Sequence, residues 1–336
     1  MTTPNPEFLR FTTHKSLTQR LVLSTLTGRP IHVSQIRSSS PTNPGLAPHE
    51  ISFLRLLDSI TNGSSLQISY TGTTFTYIPG LITGSVVNSG DVVKCALPES
   101  CRRGVSWFLI PLCMLAPFSK APLNVRFEGE GVITSATETG DVSVDSVRTA
   151  ILPLYEQFGI MGAKLELRVL QRSCAGSGAK GGGGVVELRF CGDRNDPGKK
   201  KRTGVGFGLA LIAESSAEGV IYSADVAAPS SGGVTPEDIG KQCAYQLLEN
   251  ISQGGCVTRV GAGTVLTLMA MGSEDVGRVR LGRDVLGTED VILLARDLKK
   301  FGASSWGMRD AEDDETGDII VSVKGIGVGN VGRKVA

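Results

Sequence analysis

The stretch Ser16–Arg37, SLTQRLVLSTLTGRPIHVSQIR, decides the fold because its pattern returns along the chain. Its apolar residues at helical spacing are Leu17, Leu21, Val22 and Leu26. They predict a helix with one apolar face. Gly28 can adopt the left-handed conformation that ends a helix, and Pro30 prevents its continuation. Ile31 and Val33 then alternate with polar neighbours, as in a half-buried strand.

The start of this helix has capping-box spacing, with Ser16 at the cap and Gln19 three residues later. The Ser16 hydroxyl can accept a hydrogen bond from the Gln19 amide, while the Gln19 side chain reaches back to the amide of Ser16. We therefore expect these two side chains to close the first turn.

The order helix, glycine, two strands returns at three places in the chain. The helices with their glycines are Phe53–Gly63, Ile151–Gly159 and Ile292–Gly302. Such repetition indicates one supersecondary pattern used three times. The predicted fold is therefore α+β (α/β-like), with three repeated two-helix, four-stranded units. The predicted bounds of these units are 1–85, 86–190 and 204–336, with a junction at 191–203 before the third.

The third unit is predicted to open with paired strands at Leu209–Glu214 and Val220–Asp225. Pro236 occupies a favoured first-turn position of a long helix that ends near Ser252. The apolar run Val265–Met271 is predicted as a strand between this helix and the last one.

Composition limits the classes of protein that fit the chain. Its 336 residues are 40% hydrophobic, which is enough for a large core. The net charge of +1 argues against a protein that coats nucleic acid through a general positive field, but is compatible with a local basic patch. The longest apolar run, Val105–Phe118, contains two prolines and is too short to cross a bilayer. We expect a soluble cytosolic or nuclear protein without membrane contact.

Neither the cysteines nor the histidines form a metal-ligand pattern. The seven cysteines show no C-x-x-C spacing, which indicates free thiols in a reducing compartment. The histidines, His14, His32 and His49, all lie in the first unit without a carboxylate or cysteine at ligand spacing. We expect them to be structural or exposed, and we predict no metal site. Ser-His-Asp or Cys-His catalysis stays open at this level.

Three further motifs have alternative interpretations. Gly176–Gly181 matches G-x-G-x-x-G, but predicted strands on both sides favour a hairpin tip over a dinucleotide site. The basic run Lys199–Arg202 fits an RNA-phosphate contact, a nuclear address or a solvated loop. The cations within Arg296–Lys300 either follow the preference of a helix C-terminus or contact RNA or a partner.

A set of short motifs extends over nearly the whole chain. They are Arg20–Pro30 with Ile36-Arg37, Asn43–Leu46, Leu54–Ser64, Tyr70–Thr74, Pro79-Gly80, Leu115–Ser119, Gln157–Gly159, Gly206–Gly208, Ala213-Glu214, Pro236–Gly240 and Lys324–Gly327. Together they resemble the RNA 3′-terminal phosphate cyclase family, and within it the cyclase-like branch of eukaryotic ribosome biogenesis. The resemblance implies the family's fold of repeated two-helix, four-stranded units.

Two departures from the family bear on activity. The cyclases have a Gly-Glu-Gly-Gly-Gly-Gln loop that helps to hold the nucleotide and the RNA end, whereas the corresponding stretch here, Thr12–Arg20, lacks the glycines and the glutamate. The cyclases also use a C-terminal histidine to take AMP from ATP, a step that needs an imidazole nucleophile. This chain has no histidine after His49. We therefore expect no adenylyl transfer, no end cyclisation and no cofactor.

A third departure concerns the small insert domain that the family usually carries before the third unit. Here only residues 191–203 join the flanking strands, so the insert is predicted to be short or absent. The basic run lies in this junction, which weakens its interpretation as a native motif.

The resemblance implies a non-enzymatic assembly factor of the nucleus and nucleolus that acts in 18S rRNA maturation and small-subunit (40S) assembly. Its implied partners are a large ribosome-assembly GTPase, pre-rRNA and proteins of the small-subunit processome. A cleft for a phosphate end can remain a binding surface without its nucleophile. The candidate RNA- or partner-binding residues are Arg20, Arg37, Lys199, Lys200, Lys201, Arg202, Lys299 and Lys300.

Two enzymatic alternatives stay open. An endonuclease that cleaves pre-rRNA at an early processing site would use Arg296, Asp297 and Lys299, since phosphodiester cleavage needs charge stabilisation. The chain shows no paired-carboxylate metal site that would support this chemistry. An active cyclase is the third hypothesis, and it would carry a covalent AMP.

Overall fold

A computed structural model of the chain describes residues 7–85, 92–160, 165–174, 183–190, 206–217, 219–303, 305–311 and 317–329. The helices are α1 (Leu17–Thr27), α2 (Pro48–Ile60), α3 (Ser106–Leu115), α4 (Val144–Ser146), α5 (Pro236–Ser252), α6 (Arg259–Met271), α7 (Arg283–Leu286) and α8 (Glu289–Lys300). A 3₁₀ turn, Ala116–Phe118, follows α3, and α4 continues as a π-helical turn, Val147–Ile151, and a 3₁₀ segment, Leu152–Phe158.

The strands form separate sheets along the chain. They are β1 (Leu9–Thr12), β2 (Ile31–Ser34), β3 (Thr61–Asn62), β4 (Ser65–Ile68), β5 (Phe75–Ile78), β6 (Leu81–Ile82), β7 (Val93–Ala96), β8 (Leu123–Glu128), β9 (Leu165–Gln171), β10 (Val185–Phe190), β11 (Gly208–Glu214), β12 (Ile221–Ala227), β13 (Val276–Leu281), β14 (Trp306–Asp310) and β15 (Ile319–Lys324).

The first two large sheets have the same topology. The first has the order β1-β2-β5-β4, in which β1 and β2 are parallel and the other neighbours are antiparallel. The second has the order β7-β8-β10-β9, again with a parallel first pair. In each unit a helix, α1 or α3, connects the parallel pair, as a parallel crossover requires. The α+β fold with repeated units is therefore confirmed.

The third sheet has the order β13-β15-β14 and is antiparallel throughout. Helix α6 precedes β13 and α8 follows it, so the sheet corresponds to the last three strands of the other units. Where a first strand would lie, Gly255 forms a single antiparallel bridge to Leu281. The prediction of a strand at Val265–Met271 is wrong, because this run lies inside α6. A short apolar run that is buried on every side has no periodicity to separate helix from strand.

Strands β11 and β12 pair as predicted, but they form their own two-stranded sheet. Helix α5 packs on this sheet and closes a small separate core. The fully buried members of that core are Ala224, Val226, Ile239 and Cys243. The predicted unit bounds 1–85, 86–190, 191–203 and 204–336 stay a prediction, with the repeat pattern resuming at α6.

One continuous hydrophobic core joins the three large sheets. At its centre α1 packs on α3, and α3 packs on α6. Gly28 ends α1 with φ 69°, and Gly159 ends the helical segment after α4 with φ 73°, both left-handed as predicted. Within the described part of the chain, every helix is too short or too polar to span a bilayer.

Candidate functional site

A central cavity of about 230 Å³ lies where α1, α3 and α6 meet. Each helix lines it with residues of its first turns: Thr18 and Gln19 from α1, Ser106 and Trp107 from α3, and Thr264 from α6. The positive ends of three helix dipoles therefore approach one space. Since Thr18 and Gln19 belong to the stretch Thr12–Arg20 that corresponds to the nucleotide-holding loop of the cyclases, this cavity is the candidate site.

The polar groups of the central cavity have no partner within the described protein. These groups are Gln19 Nε2, Ser106 Oγ and Thr264 Oγ1, and the Ser106 and Thr264 side chains belong to residues only 1% and 2% exposed. Asp141 also lines the cavity, but its carboxylate accepts from Arg103 Nη2 at 2.5 Å and from the Gly104 amide at 2.8 Å. The described lining holds no imidazole, thiol or amine, so it can bind a group by hydrogen bonds but offers no activated nucleophile.

The backbone before α1 is strained. Thr13 and Ser16 have φ 67° and 54°, and Gln35 and Arg37, after β2, have φ 56° and 44°. Among the described residues these are the only non-glycines at positive φ, a conformation that costs free energy and clusters at functional sites. The capping-box prediction is wrong: Ser16 is left-handed and makes no cap bond, whereas capping requires an extended backbone at that position.

Arg20 is buried and forms an ion pair that joins the first unit to the third. Its Nε lies 2.9 Å from Asp297 Oδ2, and the two side chains are 7% and 5% exposed. Its Nη1 donates to the carbonyls of Thr12 and Thr13, each at 3.3 Å, and its guanidinium lies 4.7 Å from the centre of the Phe11 ring. Burial raises the pKa of Asp297, and the neighbouring Arg20 opposes that rise. Neither charge of this pair faces solvent.

Arg37 also has a structural partner. It donates to both carboxylate oxygens of Glu50, at 2.7 and 2.9 Å, and to the Gly45 carbonyl at 3.0 Å. The same carboxylate accepts from the Ala47 amide at 2.7 Å, at the start of α2. Arg37 therefore holds the loop after β2 against α2. Burial, and then the charge of Arg37, lowers the pKa of His14 beside it.

His49 packs edge-on against Trp107, with 4.8 Å between the ring centres. Burial lowers its pKa, so the neutral ring is favoured. In the described part of the chain, no cluster of three histidine, cysteine or acidic side chains could hold a metal ion.

The exposed cations of α8 form one surface with two arginines of the first unit, which we call the α8 basic surface. Its members are Arg10, Arg29, Arg296, Lys299 and Lys300. Lys300 Nζ lies 3.4 Å from the Arg10 carbonyl, and Arg29 Nη1 lies 2.8 Å from the Lys300 carbonyl. No described acid forms an ion pair with Arg10, Arg296 or Lys299.

The site residues predicted from the sequence thus divide into separate groups. Arg20, Arg37 and Asp297 are committed to buried or half-buried ion pairs, whereas Arg296, Lys299 and Lys300 face solvent. Sequence reasoning missed Arg10 and Arg29, because only the pairing of β1 with β2 brings them beside α8. The G-x-G-x-x-G motif, the basic run Lys199–Arg202 and residues 312–316 of the acidic stretch lie outside the described residues.

Comparison with known proteins gives a consistent set of similarities. The sequence profile of the family described as RNA 3'-terminal phosphate cyclase matches residues 9–303. The mouse RNA 3'-terminal phosphate cyclase-like protein is 36% identical, over 94% of this chain and 95% of its own. The rRNA processing protein RCL1 of Saccharomyces cerevisiae is 30% identical over the full length of both chains, and rRNA processing protein rcl1 of Schizosaccharomyces pombe is 33% identical over 97% of this chain and 98% of its own.

These alignments are longer than the chain itself. The alignment with the mouse protein spans 378 positions, whereas this chain has 336 residues. The relative therefore contains residues that have no counterpart here, which agrees with a short or absent insert.

Proposed function

Because the chain belongs to the RNA 3′-terminal phosphate cyclase family, we propose that it is a ribosome biogenesis factor that acts in rRNA processing and performs no cyclase reaction. It serves 18S rRNA maturation and small-subunit assembly in the nucleolus. Its partners are a large ribosome-assembly GTPase, pre-rRNA and proteins of the small-subunit processome. The names of the two yeast relatives as rRNA processing proteins support this proposal.

The observation that carries the loss of cyclase chemistry is the lining of the central cavity. Its polar members are hydroxyls, an amide and one carboxylate already bound by Arg103. Adenylyl transfer needs a nucleophile of high reactivity, and a serine or threonine hydroxyl needs an adjacent base to become one. All three histidines lie at or before position 49, and His49 is packed against Trp107 rather than aimed at a hydroxyl of the lining.

This part of the proposal is tested with ATP labelled at the α-phosphate. The purified full chain is incubated with the nucleotide and Mg²⁺ and run on a denaturing gel, beside a true cyclase as positive control. We expect a labelled band for the cyclase and none for this chain. A labelled band at the mass of this chain would overturn the proposal.

The α8 basic surface is the proposed contact with pre-rRNA. Arg10, Arg296 and Lys299 form no ion pair with an acid among the described residues, so they are available to phosphates. Each phosphate contact with a single strand contributes about 0.7 to the slope of log affinity against log salt. Reversing Arg10 and Lys299 together to Glu should therefore weaken RNA binding, and each phosphate that is no longer neutralised should lower that slope by about 0.7.

The matched control for this measurement is Lys241→Glu, an exposed charge reversal on α5, away from the α8 basic surface. It changes the net charge by the same sign but removes no proposed contact. Fluorescence anisotropy with a short labelled pre-rRNA fragment gives both slopes. Equal slopes for the control and for the double variant would exclude this surface as the RNA contact.

A further inference from the structure

The first sheet ends in an edge strand, β4, that lies in an uncharged part of the chain. Between Asp58 and Asp91 the sequence contains no aspartate, glutamate, lysine, arginine or histidine. Edge strands of soluble proteins usually carry a lysine, a proline or a bulge that prevents another strand from pairing. β4 has none of these, and its register with β5 is uninterrupted from Ser65 to Ile68. This edge is unprotected.

The register shows which backbone groups of β4 are unused. Ser65 is opposite Ile78, and farther along the Ser69 amide donates to the Thr74 carbonyl at 2.9 Å. In an antiparallel pair the hydrogen-bonded residues alternate with the others. Leu66 and Ile68 therefore direct their N–H and C=O groups away from β5. Among the described strands, none pairs with that side of β4.

The side chains at this edge are apolar and uncovered. Ile68 is opposite Phe75, which is buried, so the two side chains share the face that packs into the core. Yet Ile68 is 42% exposed, and Tyr70, at the tip of the hairpin, is fully exposed. An additional strand on this side would continue the sheet and place alternate side chains over Ile68 and Tyr70.

We propose that β4 is the docking edge for an extended segment of a protein partner, which adds to the first sheet as a fifth strand with apolar residues at alternate positions. The edge supplies two N–H and two C=O groups, from Leu66 and Ile68, in the spacing that only another strand matches. The proposal rests on the GTPase partnership of the proposed function, and it names where and in what form that partner binds.

Other occupants fit this edge less well. RNA needs cations against its phosphates, and positions 59–90 contain none. A second copy of the chain would have to bury about 800 Å² on each side for a stable dimer. A four-residue strand is only about 13 Å long, so β4 pairing with itself is far too small. An extended segment needs only the edge.

The test uses Ile68→Pro and Ile68→Lys, with Ile68→Val as the matched control. Proline at position 68 removes an N–H that points away from β5, so the β4–β5 hydrogen bonds remain. Lysine at position 68 keeps the N–H and instead adds the charge that protects natural edges. Valine retains the amide, the apolar character and the β-branched shape. Urea unfolding of each variant checks that the first sheet is intact.

Binding of the purified ribosome-assembly GTPase to the purified full chain is measured by biolayer interferometry. We expect Ile68→Pro and Ile68→Lys each to weaken binding about tenfold or more, and Ile68→Val to stay within about twofold of wild type. If the wild type binds and all three variants bind equally, docking at β4 is wrong, although the partnership stands.

Two further results would also overturn the proposal. If the wild type does not bind the GTPase, the occupant is wrong and the partnership in the proposed function fails with it; the ATP-labelling and RNA measurements are independent of that result. If light scattering shows a dimer of the wild type that Ile68→Pro converts to a monomer, the edge serves a second copy instead.

Discussion

Removing the carboxylate of Asp297 should destabilise the whole fold. In Asp297→Ala the guanidinium of Arg20, 7% exposed, is deprived of its ion partner but stays beneath the surface. Breaking a buried pair on one side costs about 3–5 kcal/mol. The two carbonyl contacts of Arg20 and its position over the Phe11 ring remain, so we expect a destabilisation near the lower end, about 3 kcal/mol. It should be seen in urea unfolding and as a fall in Tm of about 6 °C.

Two controls separate the charge from the shape of the pair. Asp297→Asn keeps an oxygen that can accept from Arg20 and should cost about 1–2 kcal/mol. The double variant Arg20→Met with Asp297→Leu removes both charges together and should lie within about 1 kcal/mol of wild type. A destabilisation below about 1 kcal/mol in Asp297→Ala would refute the reasoning. If purified wild type cleaves pre-rRNA and a stably folded Asp297→Asn does not, the endonuclease interpretation gains the support that it now lacks.

Further expectations concern α2, a histidine and the central cavity. Glu50→Ala removes both bonds to Arg37 and the cap of α2, so urea unfolding should show a destabilisation of about 3 kcal/mol, and one under about 1 kcal/mol would contradict that role. Burial lowers the folded-state pKa of His49, so the unfolded chain takes up its proton first and stability should fall as the pH drops below about 6.5; His49→Gln should flatten that part of the urea-midpoint curve between about pH 5 and 7. Thr264→Val should be neutral or stabilise by up to about 1 kcal/mol, because the hydroxyl has no protein partner among the described residues; a clear destabilisation in thermal unfolding would show that the hydroxyl is bound.

Local pattern was sufficient for elements whose chemistry is local. The spacing of leucines predicted α1, and Gly28 ends it with the left-handed backbone that glycine allows. It failed at Val265–Met271, where the side chains are apolar on every side because α6 is buried between neighbours. Periodicity reports the contrast between a buried and an exposed face, and a fully buried helix has no such contrast.

The candidate site depended on contacts that no local pattern contains. Arg20 and Asp297 are 277 positions apart, yet they form the buried pair. The left-handed backbone of Thr13 and Ser16 was equally hidden, because residues other than glycine rarely adopt it. What could be predicted was the absence of a histidine after His49, since that is a property of composition alone.

Helical geometry divides the motif Arg296–Lys300 into two functions. At about 100° per residue, Lys299 points roughly 160° away from Asp297, so Asp297 is buried with Leu294 and Leu298 while Lys299 is exposed. The carboxylate and this cation therefore cannot converge on one phosphodiester.

This division predicts that two substitutions in one motif have opposite effects. Lys299→Glu should weaken binding of a pre-rRNA fragment severalfold and leave the urea midpoint unchanged, because the side chain makes no ion pair among the described residues. Asp297→Ala should lower the midpoint, while the fraction that stays folded binds RNA with wild-type affinity. If both substitutions instead abolished one activity at unchanged stability, the motif would act as a single catalytic unit, and the placement of Asp297 against Arg20 would have to yield to that result.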